Sequence, residues 1–225
     1  MRFIFKTDYA QDIRLIKHGG QAFWYGLLAV FLLLAPWLVP EYWLAQLSFV
    51  LIYGIIGLGL MLLAGYTGQF SLGHAAFVGV GAYAQAVLTN AGLPFPLAML
   101  CAAVLAGLVG VVVGLPALRV KGIYLGIATL AFGFIVEEVF ARWEKLTGGN
   151  AGMHVKAPAI GSWSIDSGEG FYFVALITAV LCTLAILNLL RSATGRAFVA
   201  IRDSEISAQS MGIQLARYKT LSFAL

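Results

Sequence analysis

The sequence predicts an all-α fold, a polytopic transmembrane helical bundle of about six spans plus the start of a seventh, apparently truncated at the C-terminus. Three observations predict it. The 225 residues are 61% hydrophobic and 11% charged, whereas soluble domains run at roughly 45–50% apolar and about 25% charged. The apolar residues fall into runs of about 20, the length a helix needs to cross a bilayer. Short polar turns separate the runs, and Lys and Arg gather on one side of the resulting layout, as the positive-inside rule requires.

The same composition narrows the function. The net charge of +4 comes from cations spread over separate loops rather than one face, so membrane lipid is the expected partner and nucleic acid is not. Cys101 and Cys182 lie inside apolar runs as packing residues. His18, His74 and His154 are far apart, which leaves no ligand cluster for a metal. No nucleophile–base or metal constellation supports an enzyme, and no GxxxxGK[ST] loop cradles a nucleotide.

Taken in order, residues 1–21 carry Arg2, Lys6, Arg14 and Lys17 against Asp8 and Asp12, which predicts a cytoplasmic amino-terminal segment. The first span, 22–39, has Trp24, Tyr25 and Trp37 at interfacial positions. It starts too late and lacks the small-x-small pattern of a cleaved signal. Residues 40–43, PEYW, make an outer turn, and 44–64 return inward.

Residues 65–88, GYTGQFSLGHAAFVGVGAYAQAVL, hold five glycines and a row of polar side chains. Irregular backbone at membrane depth persists only where protein or a water-filled cavity satisfies its amides, so this stretch faces the bundle interior. The third span is placed at 70–88. Thr67, Gln69, Ser71 and His74 put donors at its start, where unpaired N–H groups favour a carboxylate; close helix packing through the glycines is the alternative.

The fourth span, 95–118, contains Gly107 and the GxxxG pair Gly110 and Gly114, and ends at Arg119 and Lys121. The fifth, 122–140, repeats the spacing at Gly122 and Gly126 and closes outside with Glu137 and Glu138, either an ion-coupling site or a solvated helix end. An outer loop over 142–170 carries TGGNAG at 147–152, and the sixth span covers 171–190.

The polar island at 195–219, GRAFVAIRDSEISAQSMGIQLARYK, is expected on the cytoplasmic side. In it Asp203 or Ser204 caps a helix of roughly two turns with Glu205 in its first turn and Gly212 as a left-handed stop. So short a helix requires a surface to hold it; a solvated loop with basic anchors is the alternative. Residues 220–225 begin another apolar run, hence the expected truncation. Of the 14 Lys and Arg, only Arg142, Lys145 and Lys156 then lie outside.

At residues 65–81, GYTGQFSLGHAAFVGVG, and 121–133, KGIYLGIATLAFG, the chain resembles the LivM-type permease subunits of ABC importers for branched-chain amino acids. The outer turn Glu41-Tyr42-Trp43, the 147–152 loop and residues 195–213 are similar to that family in the same order, so the resemblance covers about residues 40–225. It implies translocation of branched-chain or related amino acids by alternating access in a bacterial inner membrane. It also implies a second, LivH-type permease subunit, two cytoplasmic ATP-binding subunits that hydrolyse the ATP, and a periplasmic substrate-binding protein. No cofactor would be bound by this chain itself. The ATPase-coupling segment would comprise Gly195, Arg196, Ile201, Arg202, Glu205, Ala208 and Gly212, of which Glu205, Ala208 and Gly212 match the family's EAA-type pattern loosely. The translocation-pathway candidates are Tyr66, Thr67, Gln69, Ser71, Gly73 and His74. The rivals are an ion-coupled carrier using Glu137 and Glu138 and a related permease for urea or short amides.

Overall fold

The computed structural model describes residues 19–120, 122–155, 158–160, 163–164 and 167–225. The expectations for the amino-terminal cations, Lys121 and Lys156 lie outside the described residues. Five helices are long and apolar enough to cross a membrane by length and composition. They are α1 (Gly19–Leu38), α2 (Glu41–Leu60, running on through a widened turn to Tyr66), α4 (Phe95–Ala117), α5 (Ile123–Arg142) and α7 (Gly168–Arg191). Between α2 and α4 stands α3 (His74–Asn90), at 17 residues the short member of the bundle.

The expected outer turn at 40–43 is shorter than read, since Glu41, Tyr42 and Trp43 already belong to α2, and two further regions differ from the sequence expectation. The third helix begins at His74 rather than at residue 70, because residues 67–73 are not helical. Secondly, residues 191–219 are no loop with one short helix. They hold α8 (Ala193–Asp203), α9 (Glu205–Ser210) and the first half of α10 (Leu215–Ala224). The signal for α8 was its apolar stripe: Ala197, Phe198 and Ile201 recur at helical spacing and are all buried. Beyond α5, a short α6 (Glu144–Thr147) and a 3₁₀ turn (Gly149–Ala151) lead to a two-residue antiparallel ladder, Ala159–Ile160 against Trp163–Ser164. That ladder is a minor addition to an otherwise helical molecule.

Packing divides the bundle into two groups. At one end α1, α2 and α7 meet around Ala35, Leu44, Tyr172 and Leu176, with the Tyr172 hydroxyl donating to the Leu32 carbonyl at 2.8 Å. The second group joins the end of α2, α4, α5 and α10 around Leu63, Ala117, Leu125 and Phe223. There the GxxxG spacing of α4 acts within the chain. A Cβ on Gly110 would overlap the Phe223 carbonyl, and one on Gly114 would sit 3.1 Å from the Thr220 Cα, so α10 rests directly on the α4 backbone. Most large apolar side chains on the outer faces of the spanning helices are exposed, as lipid contact requires.

Candidate functional site

The break between α2 and α3 begins where α2 widens into one π-helical turn, Met61–Tyr66. The Thr67 hydroxyl donates back to the Leu63 carbonyl at 2.5 Å, and the Thr67 N–H reaches Leu62 rather than the residue one α-turn back. Residues 67–73 then leave the helix, with Gly68 at a φ of +67°, and their burial alternates: Thr67, Gln69, Ser71 and Gly73 are buried, while Gly68, Phe70 and Leu72 are exposed.

The buried side chains are tied to distant helices. The Gln69 amide donates to the Ser222 hydroxyl at 2.6 Å, to Thr67 Oγ1 at 3.2 Å and to the Lys219 carbonyl at 3.5 Å. Ser222 in turn donates to that same carbonyl at 2.8 Å, so the break is hydrogen-bonded to α10. On the other side, the Leu72 N–H donates to Thr129 Oγ1 at 3.0 Å, and Thr129 donates to the Gly126 carbonyl at 2.9 Å. Gly73 lies so close to α5 that a Cβ would overlap the Thr129 carbonyl. These contacts are how backbone that leaves the helix survives inside a bundle.

From the break a cleft of about 610 Å³ runs between α3 and α5. Leu72, Gly73 and Ala76 floor one end, Tyr83, Phe134 and Phe140 form apolar walls, and Glu137 with residues 149–152 closes the other. Of the six pathway candidates, Gly73 lines this cleft. Thr67 and Gln69 turn instead into the network with α10, Ser71 is buried beside them, and Tyr66 and His74 are half-buried at the two ends of the break. Glu138 pairs with Arg142 one turn along α5, so its charge is matched by an exposed neighbour. Thr147 donates to the Phe140 carbonyl at 2.6 Å, which fixes the 147–152 turn over the cleft's end.

The island is built around a tie between its own helices. Ser204 caps α9, accepting from the Ser207 N–H at 3.3 Å, and Gly212 stops it with φ of +85°. Both agree with the sequence reading. Glu205, however, turns inward to Lys219 of α10 at 2.5 Å, the two side chains being 25% and 6% exposed. Arg202 reaches the break: its Nη1 donates to the Gly65 carbonyl at 3.2 Å while Nη2 pairs with Asp203 at 2.9 Å. Gly195, Ile201 and Ala208 are buried and hold the island's shape, and Arg196 donates to the Arg191 carbonyl at 3.3 Å. The outward surface belongs to residues the sequence reading passed over. Met211 and Ile206, 83% and 80% exposed, are the most exposed large apolar side chains among the described residues, and both lie on a polar segment. The sequence also gave no weight to Thr129 or Ser222, whose only signal was a hydroxyl in an apolar run.

Five apolar helices of spanning length around a polar break define a multi-pass membrane protein. The family model for the branched-chain amino acid transport system / permease component matches residues 42–225, and the chain belongs to that family. It is 32% identical over 217 residues to the high-affinity branched-chain amino acid transport system permease protein LivM of Escherichia coli (strain K12), covering 84% of this chain and 51% of the relative. LivM of Salmonella typhimurium (strain LT2) is 33% identical over 202 residues, 78% of this chain and 47% of the relative. The chain thus spans about half the length of the curated relatives it matches. No solved structure matches the chain.

Proposed function

We propose that the chain works as a permease subunit of an ATP-binding cassette importer for branched-chain or related amino acids in a bacterial inner membrane. The amino terminus and the island face the cytoplasm, and the 147–152 turn faces the periplasm. A substrate-binding protein delivers cargo at that turn, and a second permease subunit closes the cleft between α3 and α5 into a pathway. Two ATPase subunits on the cytoplasmic side drive alternating access, since this sequence carries no phosphate-binding loop of its own.

One observation carries the coupling role. Ile206 and Met211 are the most exposed large apolar side chains among the described residues, yet they lie on α9 and on the turn that ends it, outside every candidate span. Apolar groups that face neither lipid nor core mark a protein-contact surface. The test is capture of an ATPase subunit by the complete protein, with Ile206→Glu and Met211→Glu together as the comparison. The native island retains the ATPase and drives ATP-dependent uptake, and the double variant loses both. If no ATPase binds the native protein and uptake follows an ion gradient instead, the importer reading fails in favour of a carrier using Glu137 at the cleft's end.

A further inference from the structure

The island and the break are joined by two separate sets of contacts. Arg202 at the end of α8 donates to the Gly65 carbonyl at 3.2 Å, and its Cα lies 3.5 Å from where a Cβ on Gly68 would stand. Glu205 at the start of α9 grips Lys219, which lies almost wholly inside the protein. The main-chain carbonyl of that same Lys219 accepts from Ser222 at 2.8 Å and from Gln69 at 3.5 Å, and Ser222 accepts from Gln69 at 2.6 Å. Gln69 also holds Thr67, whose hydroxyl donates to the Leu63 carbonyl in the widened turn that ends α2. A side chain that merely filled space at this point would need no amide. Its one –NH₂ group bridges the polar break and the helix gripped by the island.

We infer that Gln69 is a positioning residue through which displacement of α9 is passed, by way of Lys219 and Ser222 on α10, to the break that floors the cleft. A push on α9 moves Lys219, because separating a buried ion pair is far more costly than shifting both helices together. Lys219 and Ser222 occupy one face of α10, three residues apart, so they move as one body. Gln69 then draws residues 67–73 with them, changing the end of the cleft at Leu72 and Gly73. This inference rests on the importer reading, in which the island receives the movement of the ATPase.

The experiment uses the assembled importer containing this chain, reconstituted in liposomes with its ATPase and substrate-binding protein. Uptake and ATP hydrolysis are measured together for the native protein, Gln69→Leu, Ser222→Ala and the double variant. In Gln69→Leu, amino acid carried per ATP falls about fivefold, the scale of one buried hydrogen bond. Ser222→Ala gives a similar loss, the double variant loses little more than either, and preference among amino acid substrates stays as in the native protein. An unchanged uptake-to-ATP ratio in both assembled single variants overturns the inference. So does an altered substrate preference in Gln69→Leu, which would make Gln69 a substrate contact. Loss of assembly in Gln69→Leu leaves Ser222→Ala to decide, and loss of assembly in both overturns the inference by making the contact structural. If the native complex shows no ATP-driven uptake, it is the importer reading that has failed.

Discussion

Thr129 is where a single hydroxyl holds the break against α5. It accepts from the Leu72 N–H, and at 2% exposure there is no water to take its place. Thr129→Val keeps the shape and leaves that N–H without a partner, so the protein is destabilised by roughly 1–3 kcal/mol. Thr129→Ser retains the bond and stays near native. Thermal unfolding of the purified proteins in detergent checks both, and equal midpoints for Val and Ser would rule the bond out as a stabiliser. Gly73 states the same closeness in steric terms, since any side chain there displaces the Thr129 carbonyl. The sequence showed that Gly73 and its polar neighbours break a span, because glycines and amides are out of place in lipid. It could not show which way each side chain turns. That depends on the alternating burial of a non-helical segment whose start is fixed by the turn at Met61–Tyr66, and MLLAGY reads as ordinary helix.

The Glu205–Lys219 ion pair ties two helices of the island together. Glu205→Ala leaves the Lys219 ammonium buried without its carboxylate, at a cost of roughly 3–5 kcal/mol. Replacing both, Glu205→Leu with Lys219→Met, removes the unpaired charge and recovers much of that loss. The measurement is again unfolding in detergent, and a double variant no more stable than Glu205→Ala would show that the charge itself is not the cause. The cap and stop of α9 were legible in the sequence, because Ser204 and Gly212 act on their own neighbours. The inward turn of Glu205 was not, because its partner stands 14 residues away on a different helix. For the same reason α8 went unseen: its stripe of Ala197, Phe198 and Ile201 is weak among so many apolar residues.

For the whole molecule, the proposed orientation puts residues 149–152 and the island on opposite sides of the membrane. A cysteine at Asn150 should react with an impermeant maleimide in cells whose outer membrane is opened but whose inner membrane is intact. One at Gln209 should react only after the inner membrane is disrupted. Labelling of both in intact inner membranes would contradict the topology. Span order was readable because hydropathy and helix length are local properties, and α1, α2, α4, α5 and α7 fall where the apolar runs predicted, whereas the expected third span is the 17-residue α3, which is not among the five helices long and apolar enough to cross. The grouping of those helices was not readable, since α10 is bound to α4 through Gly110 and Gly114 and to the break through Gln69. The bond between Gln69 and Ser222 joins positions 153 apart in the chain. During synthesis at about 5–20 residues per second, roughly 8–30 s separate the appearance of the two. Through that interval the newborn α2–α3 hairpin carries amides that its eventual partner cannot yet satisfy. An unpaired amide is unfavourable in lipid, so slowing translation between the two segments should increase degradation of the newborn chain, which pulse-chase labelling would measure.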